Sequence, residues 1–180
     1  DDFNYVPSFK SRSAPDPLDV RKAAEVLAAA KNPGIYAGQG VHFAKAWDEL
    51  KDLAESWNIP VTTSLEGKSA FPEDHPLSLG SGGRSLPRAV NQFLDSADVI
   101  LGIGCSFALT AFGVPMPRGK TIIHATLDPI DLNKDVAAEY TMVGDAKLTL
   151  SMLIDSMSVM GKSLAEDRRK VGEEIARVKE

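Results

Sequence analysis

The sequence predicts an α/β domain on a mainly parallel sheet of about five or six strands, and two observations carry that prediction. Short runs such as residues 34–38 and 99–104 have no charged or strongly polar position, as strands buried on both faces require. Segments with three- and four-residue apolar spacing separate these runs and supply helices to cover the sheet. With right-handed crossovers this becomes a three-layer, doubly wound, Rossmann-like domain.

The elements follow in order. Asp16 or Asp19 can cap a helix running to about Lys31, with Leu18, Ala23, Val26, Leu27 and Ala30 on one face, and Asn32-Pro33-Gly34 stops it. Residues 34–38 form the first strand. A single helix over about 42–57 is predicted from Phe43, Trp47, Leu50, Ala54 and Trp57. The β-branched run 61–64 is the second strand, and a Pro/Gly-rich loop leads to a helix over about 86–95. Strands at 99–104, 121–127 and 141–143 follow. Asp145 opens a helix to about 160 with Leu150, Leu153, Ile154 and Met157 inward. Residues 1–16 read as an extended, proline-bearing connector, and 17–160 as the domain. In 161–180 a thin stripe of Leu164, Val171, Ile175 and Val178 suits either a helix packing on something outside this chain or a solvated terminal helix.

Composition narrows function. Of 180 residues, 43% are apolar and 25% charged, with a formal net charge of −5, so a basic nucleic-acid-binding face is not expected. No apolar run reaches the roughly 20 residues of a membrane span, and no secretory signal is visible. The single cysteine, Cys105, excludes an internal disulfide and a multi-cysteine zinc site. A cytoplasmic location is the default expectation.

Ligands in such sheets sit beyond the carboxyl ends of the strands. Gly38-Gln39-Gly40 follows the first strand and is either a tight strand-to-helix turn or a phosphate approach; the full dinucleotide fingerprint is not met, because Phe43 stands at the third glycine position. Gly102-Ile103-Gly104 invites the same two readings. Gly82, Gly83 and Arg84 lie in a glycine-dense loop that is either a flexible turn or an anion contact. Asp128 can face a ribose or cap a helical turn. His42, His75 and His124 share no metal-site spacing. Cys105 reads as a small buried residue or a reactive thiol. No self-sufficient catalytic constellation is present.

Five segments in order carry a resemblance: 30–41 (AKNPGIYAGQGV), 59–77 (IPVTTSLEGKSAFPEDHPL), 97–104 (ADVILGIG), 123–129 (IHATLDP) and 143–145 (VGD). Together they resemble the central domain of thiamine-diphosphate-dependent enzymes of the acetolactate synthase, oxalyl-CoA decarboxylase and pyruvate oxidase kind, over about residues 15–160. The resemblance implies a longer parent chain with missing amino- and carboxyl-terminal domains, which supply the activating glutamate and the Gly-Asp-Gly motif that holds magnesium and thiamine diphosphate. The parent would act on a 2-keto acid or acyl donor by decarboxylation or carboligation as a homodimer or homotetramer, and this fragment alone would not be catalytic. FAD, ADP or nothing would occupy the central cleft, lined by Gly38, Gly40, Gly102, Gly104, Thr126 and Asp128. Two departures bear on the nucleotide. Thr126 stands where nucleotide-binding members carry the first aspartate, and Ala108-Leu109 replaces the Asp-Asp-Arg run of flavin-dependent acetolactate synthases. The alternatives are a freestanding nucleotide-binding domain of the electron-transfer flavoprotein kind and a non-catalytic interaction module; an NAD-dependent deacylase would need cysteines the chain lacks.

Overall fold

The structure, a computed structural model, describes residues 11–83, 85–111 and 113–180. Six strands, β1 (Pro33–Ala37), β2 (Val61–Thr63), β3 (Ser78–Ser81), β4 (Val99–Ile103), β5 (Thr121–Thr126) and β6 (Tyr140–Val143), form one sheet in the order β3-β2-β1-β4-β5-β6. Every pairing is parallel. This is the doubly wound order, and its direction of winding reverses between β1 and β4. The expected fold class holds; β3 is an addition, because the segment 65–85 reads as loop and its strand is only four residues long.

The helices are α1 (Pro17–Ala29), α2 (Gly40–Ala44), α3 (Trp47–Trp57), α4 (Arg88–Ser96), α5 (Ala146–Ser158), α6 (Ser163–Asp167) and α7 (Val171–Lys179). Asp16 caps α1 through the amide of Leu18 at 2.7 Å, and Asp145 caps α5 through Lys147 and Leu148. One layer is formed by α1, α3 and α5; α4 and α7 pack together against the other side. Asp98, just before β4, accepts the amides of Lys31 and Asn32 at 2.7 and 2.9 Å. This fixes the turn into β1 against the start of its neighbour.

Three expectations change. The single helix over 42–57 is two helices, because Lys45 adopts a left-handed conformation (φ 54°) and ends α2. The bend turns Val41, Ala44 and Ala46 into the core and leaves Phe43 and Trp47 exposed. Leu18 is likewise exposed: α1 is rotated so that Val20 and Ala24 join Ala23 and Leu27 inside. Finally, the carboxyl-terminal helices do not stand free: one face, with Ala165, Val171 and Ile175, is buried against this chain's own core, while most of their other residues are exposed. Arg168 anchors them by donating from Nη1 to the carbonyl of Ala30 and from Nη2 to that of Trp57, both at 2.9 Å. It thereby satisfies carbonyls at the ends of α1 and α3.

Candidate functional site

A concavity of about 490 Å³ opens beyond the carboxyl ends of β1, β4 and β5, at the point where the strand order reverses. Its volume lies in the range of small-molecule sites, roughly 300–1,000 Å³. Gly38 and Gly40 enter it from β1, Gly104 from β4, and Thr126 and Asp128 from β5. Five of the nine residues singled out in the sequence therefore meet in one place. Gly82, Gly83 and Gly102 are not among the lining residues: a side chain on them would strike Val114, Leu65 and the ring of Phe107 respectively. Arg84 lies outside the described residues.

The floor is built by backbone contact. The amide of Gly40 donates to the carbonyl of Gly104 at 2.8 Å, that of Gly38 to Ile103 at 2.9 Å, and that of Gly104 to Ala125 at 2.8 Å. Gly104 has φ +61°, and a Cβ there would sit 2.9 Å from Gly40. These glycines let two loops touch. Within α2, Val41 donates to Gly38, and His42 and Phe43 donate to Gln39, so its first amides are already committed.

Above the floor, Phe107 (φ 51°) stacks on Tyr36 with ring centroids 5.7 Å apart and meets His124 edge-on at 4.8 Å. His124 is fully buried and donates from Nε2 to the carbonyl of Cys105 at 2.8 Å, leaving Nδ1 unpartnered. Burial lowers its pKa. Burial also pushes the Cys105 thiol up to about 12 and raises the Tyr36 phenol, which the nearby Cys105 and Glu66 raise further. These groups stay neutral near pH 7. The other histidines are held by neighbours: His42 Nδ1 accepts the Trp47 indole and its Nε2 donates to Lys68, while His75 donates to Glu55.

A polar corner lies at the end of β5. Asp128 uses Oδ1 to cap Ile130 at 3.0 Å, and Thr126 Oγ1 donates to Asp131 at 3.4 Å. Across the mouth, Arg12 pairs with Asp145 at 3.7 Å, and the carbonyl of Ser13 accepts the Asp145 amide at 2.8 Å. Among the described residues lining the cleft, Arg12 is the one Lys or Arg; Glu66, Asp128, Asp131 and Asp145 are the acids. Tyr36, Glu66, Asp131 and Arg12 were not singled out from sequence, since their arrival depends on loops whose paths carry no motif. Among the described residues no group of three or more His, Cys, Asp or Glu is arranged to hold a metal ion, and no helix is long and apolar enough to cross a membrane.

The family model for the thiamine pyrophosphate enzyme central domain matches residues 20–153. A probable acetolactate synthase large subunit of Methanocaldococcus jannaschii is 41% identical over 155 residues, covering 84% of this chain and 26% of that protein. Acetolactate synthase of Mycobacterium bovis is 35% identical over 83% of this chain and 24% of its own. Among solved structures, a putative thiamin diphosphate-dependent enzyme from Mycobacterium smegmatis superposes with a TM-score of 0.72 at 31% identity, over 85% of this chain and 30% of that one. Benzoylformate decarboxylase from Polynucleobacter necessarius gives 0.71 at 27%, over 89% and 30%. This chain spans about a quarter of the length of the curated relatives it matches. The freestanding-flavoprotein alternative is not favoured by these matches.

Proposed function

The chain belongs to the thiamine pyrophosphate enzyme central-domain family, and from that premise we propose that it is the architectural and nucleotide-accepting domain of a cytoplasmic, homo-oligomeric, acetolactate-synthase-like enzyme. The parent acts on a 2-keto acid or acyl donor by decarboxylation or carboligation, with thiamine diphosphate and Mg2+ held by flanking domains. The described residues of this chain do not fit that cofactor pair, because they offer no cluster of acidic or histidine ligands for the ion. No chemical step is assigned to them.

For an adenine nucleotide the fit is better, and one observation carries it: Thr126, Asp128 and Asp131 gather at a cleft on the sheet's switch point. FAD bound there would bring a redox-active ring, and ADP would bring binding energy alone. Asp128 keeps Oδ2 for a ribose hydroxyl while Oδ1 caps Ile130, and the Thr126 hydroxyl can exchange its 3.4 Å bond to Asp131 for one to the ligand. The diphosphate would meet Arg12 rather than the start of α2, whose amides are engaged. Among the described lining residues, four carboxylates stand against one guanidinium, which makes that part of the cleft poor for polyanions. The nucleoside therefore supplies most of the affinity.

Calorimetric titration with adenosine, ADP and FAD tests this. ADP should bind no more than about tenfold tighter than adenosine, a difference of about 1.4 kcal/mol, and Thr126→Val with Asp128→Asn should weaken both. Absence of binding by all three would leave the architectural role alone. The activity proposed for the parent is tested separately, by assaying CO2 release from 2-keto acids by the complete reading frame with thiamine diphosphate and Mg2+.

A further inference from the structure

The chain enters the domain across the mouth of the carboxyl-end cleft. Ser11, Arg12 and Ser13 line that cleft together with Gly144 and Asp145, so residues 11–15 lie as a strap over the turn between β6 and α5. Three contacts hold it. The carbonyl of Ser13 accepts the Asp145 amide at 2.8 Å, Arg12 Nε pairs with Asp145 Oδ2 at 3.7 Å, and Pro15 is buried against Gly144. Gly144 is not in the left-handed region, and what calls for glycine there is the approach of the strap: a Cβ would stand 2.7 Å from the nitrogen and Cδ of Pro15.

Asp145 joins the strap to the fold. Its Oδ1 caps α5 through Lys147 and Leu148, its Oδ2 faces Arg12, and its amide holds Ser13. One backbone hydrogen bond is worth about 1 kcal/mol and a long pair with an exposed cation no more, while keeping the segment in one extended path costs conformational entropy. Docked and released forms of the strap therefore lie close in free energy. A ligand that touches the strap only when it is docked shifts that balance, and one that does not touch it shifts nothing. The dock is also next to the polar corner at the end of β5, because the Gly144 amide donates to the Thr126 carbonyl at 2.9 Å.

We propose that the strap over residues 11–15 belongs to the nucleotide site and is closed by the ligand's diphosphate, a reading that rests on the nucleotide-accepting cleft proposed above. A ligand held by its nucleoside at the β5 corner reaches Arg12 through its phosphates when the strap is docked and loses that contact when the strap is released. ADP and FAD thus tighten the strap, and adenosine does not. Arg12 suits this part: a guanidinium carries five donors, its side chain is 40% exposed, and Asp145 is its one ion-pair partner among the described residues. Occupancy of the cleft is thereby coupled to the position of the amino-terminal connector.

Trypsin reads the strap directly, since the Arg12–Ser13 bond lies within it and is cut only when the segment is released from its dock. The rate at which the fragment beginning at Ser13 appears is followed by mass spectrometry, with ligand concentrations set to saturation by calorimetry. ADP should slow this cut at least about fivefold and adenosine by less than about 1.5-fold. Gly144→Ala, whose Cβ pushes Pro15 away, should speed the cut at least about fivefold without ligand. ADP that binds by calorimetry yet leaves the cut unslowed would overturn the strap and leave the nucleotide reading standing. Equal slowing by ADP and adenosine, or an unchanged rate in Gly144→Ala, would overturn it as well, and failure of ADP to bind would remove both readings. The comparison of ADP with adenosine on the unsubstituted chain decides even where the variant fails to fold.

Discussion

Gly40 and Gly104 face each other backbone to backbone: the Gly40 amide bonds the Gly104 carbonyl at 2.8 Å, and a Cβ on Gly40 would lie 2.7 Å from the Gly104 Cα. The two loops flanking the switch point are thus held together by the absence of side chains. Gly40→Val should cost at least about 2 kcal/mol in urea unfolding by overpacking, and Gly104→Ala a similar amount, since it adds a positive φ to the clash. A loss under about 0.5 kcal/mol would contradict this contact. Because Gly40 is structural, its variants do not isolate ligand binding, and Thr126 and Asp128 are the residues to vary for that purpose.

Arg168 holds α6 and α7 to the ends of α1 and α3 through two carbonyls. Arg168→Met should destabilise the chain by about 2–4 kcal/mol, the range for losing buried hydrogen bonds to a charged group. Arg168→Lys should recover little, because a compact ammonium cannot reproduce the planar fork. Full recovery with lysine in a urea melt would refute the two-carbonyl anchor.

The Cys105 thiol has its pKa raised by burial to about 12, against 9.0 for the free group. A raised folded value means that stability is intact below pH 9 and declines as pH rises from there toward 12. The decline should be shallower in Cys105→Ala. In native protein at pH 8 a thiol reagent should label Cys105 only at the rate of opening, and at full rate in guanidinium; fast native labelling would show an exposed thiolate instead.

His124 titrates in the other direction. Burial depresses its pKa below the ordinary 6.5, so the unfolded chain binds the proton more readily than the folded one. Its contribution to stability is present above pH 6.5 and is lost as pH falls below that value. The urea midpoint should drop between pH 7 and 5, and drop less in His124→Asn. An identical pH slope in the variant would remove His124 from the account.

Arg12 bridges to Asp145 across the mouth of the cleft. Arg12→Ala should leave stability within about 1 kcal/mol, as for a long 3.7 Å pair whose cation is solvent-exposed, and should narrow the affinity gap between ADP and adenosine. A gap that stays the same would place the phosphates elsewhere.

Some of this was legible in the chain itself. Strand runs such as 99–103 announce themselves because two-sided burial demands continuous apolar residues, and Asp16 and Asp145 mark helix starts because a short acceptor satisfies free amides. The strand β3 and the break at Lys45 were not legible. A four-residue strand has almost no periodicity, and lysine carries no signal for a left-handed turn. In the cleft, Gly38, Gly40, Gly104, Thr126 and Asp128 follow strand ends and could be located by position. Gly82, Gly83 and Gly102 share their composition but sit where Val114, Leu65 and Phe107 need room.

The sequence by itself determined the layered α/β fold, the family and the end of the sheet at which the glycine-floored cleft lies, since these follow from periodicity and from motifs that are local in the chain. Tertiary structure alone decided that the α2 amides are spent on backbone contacts, that Arg168 ties the terminal helices to helix ends more than 100 residues away, and that Gly144 makes room for Pro15. Each is a matter of what fills the space beside a residue, and that depends on segments distant in sequence.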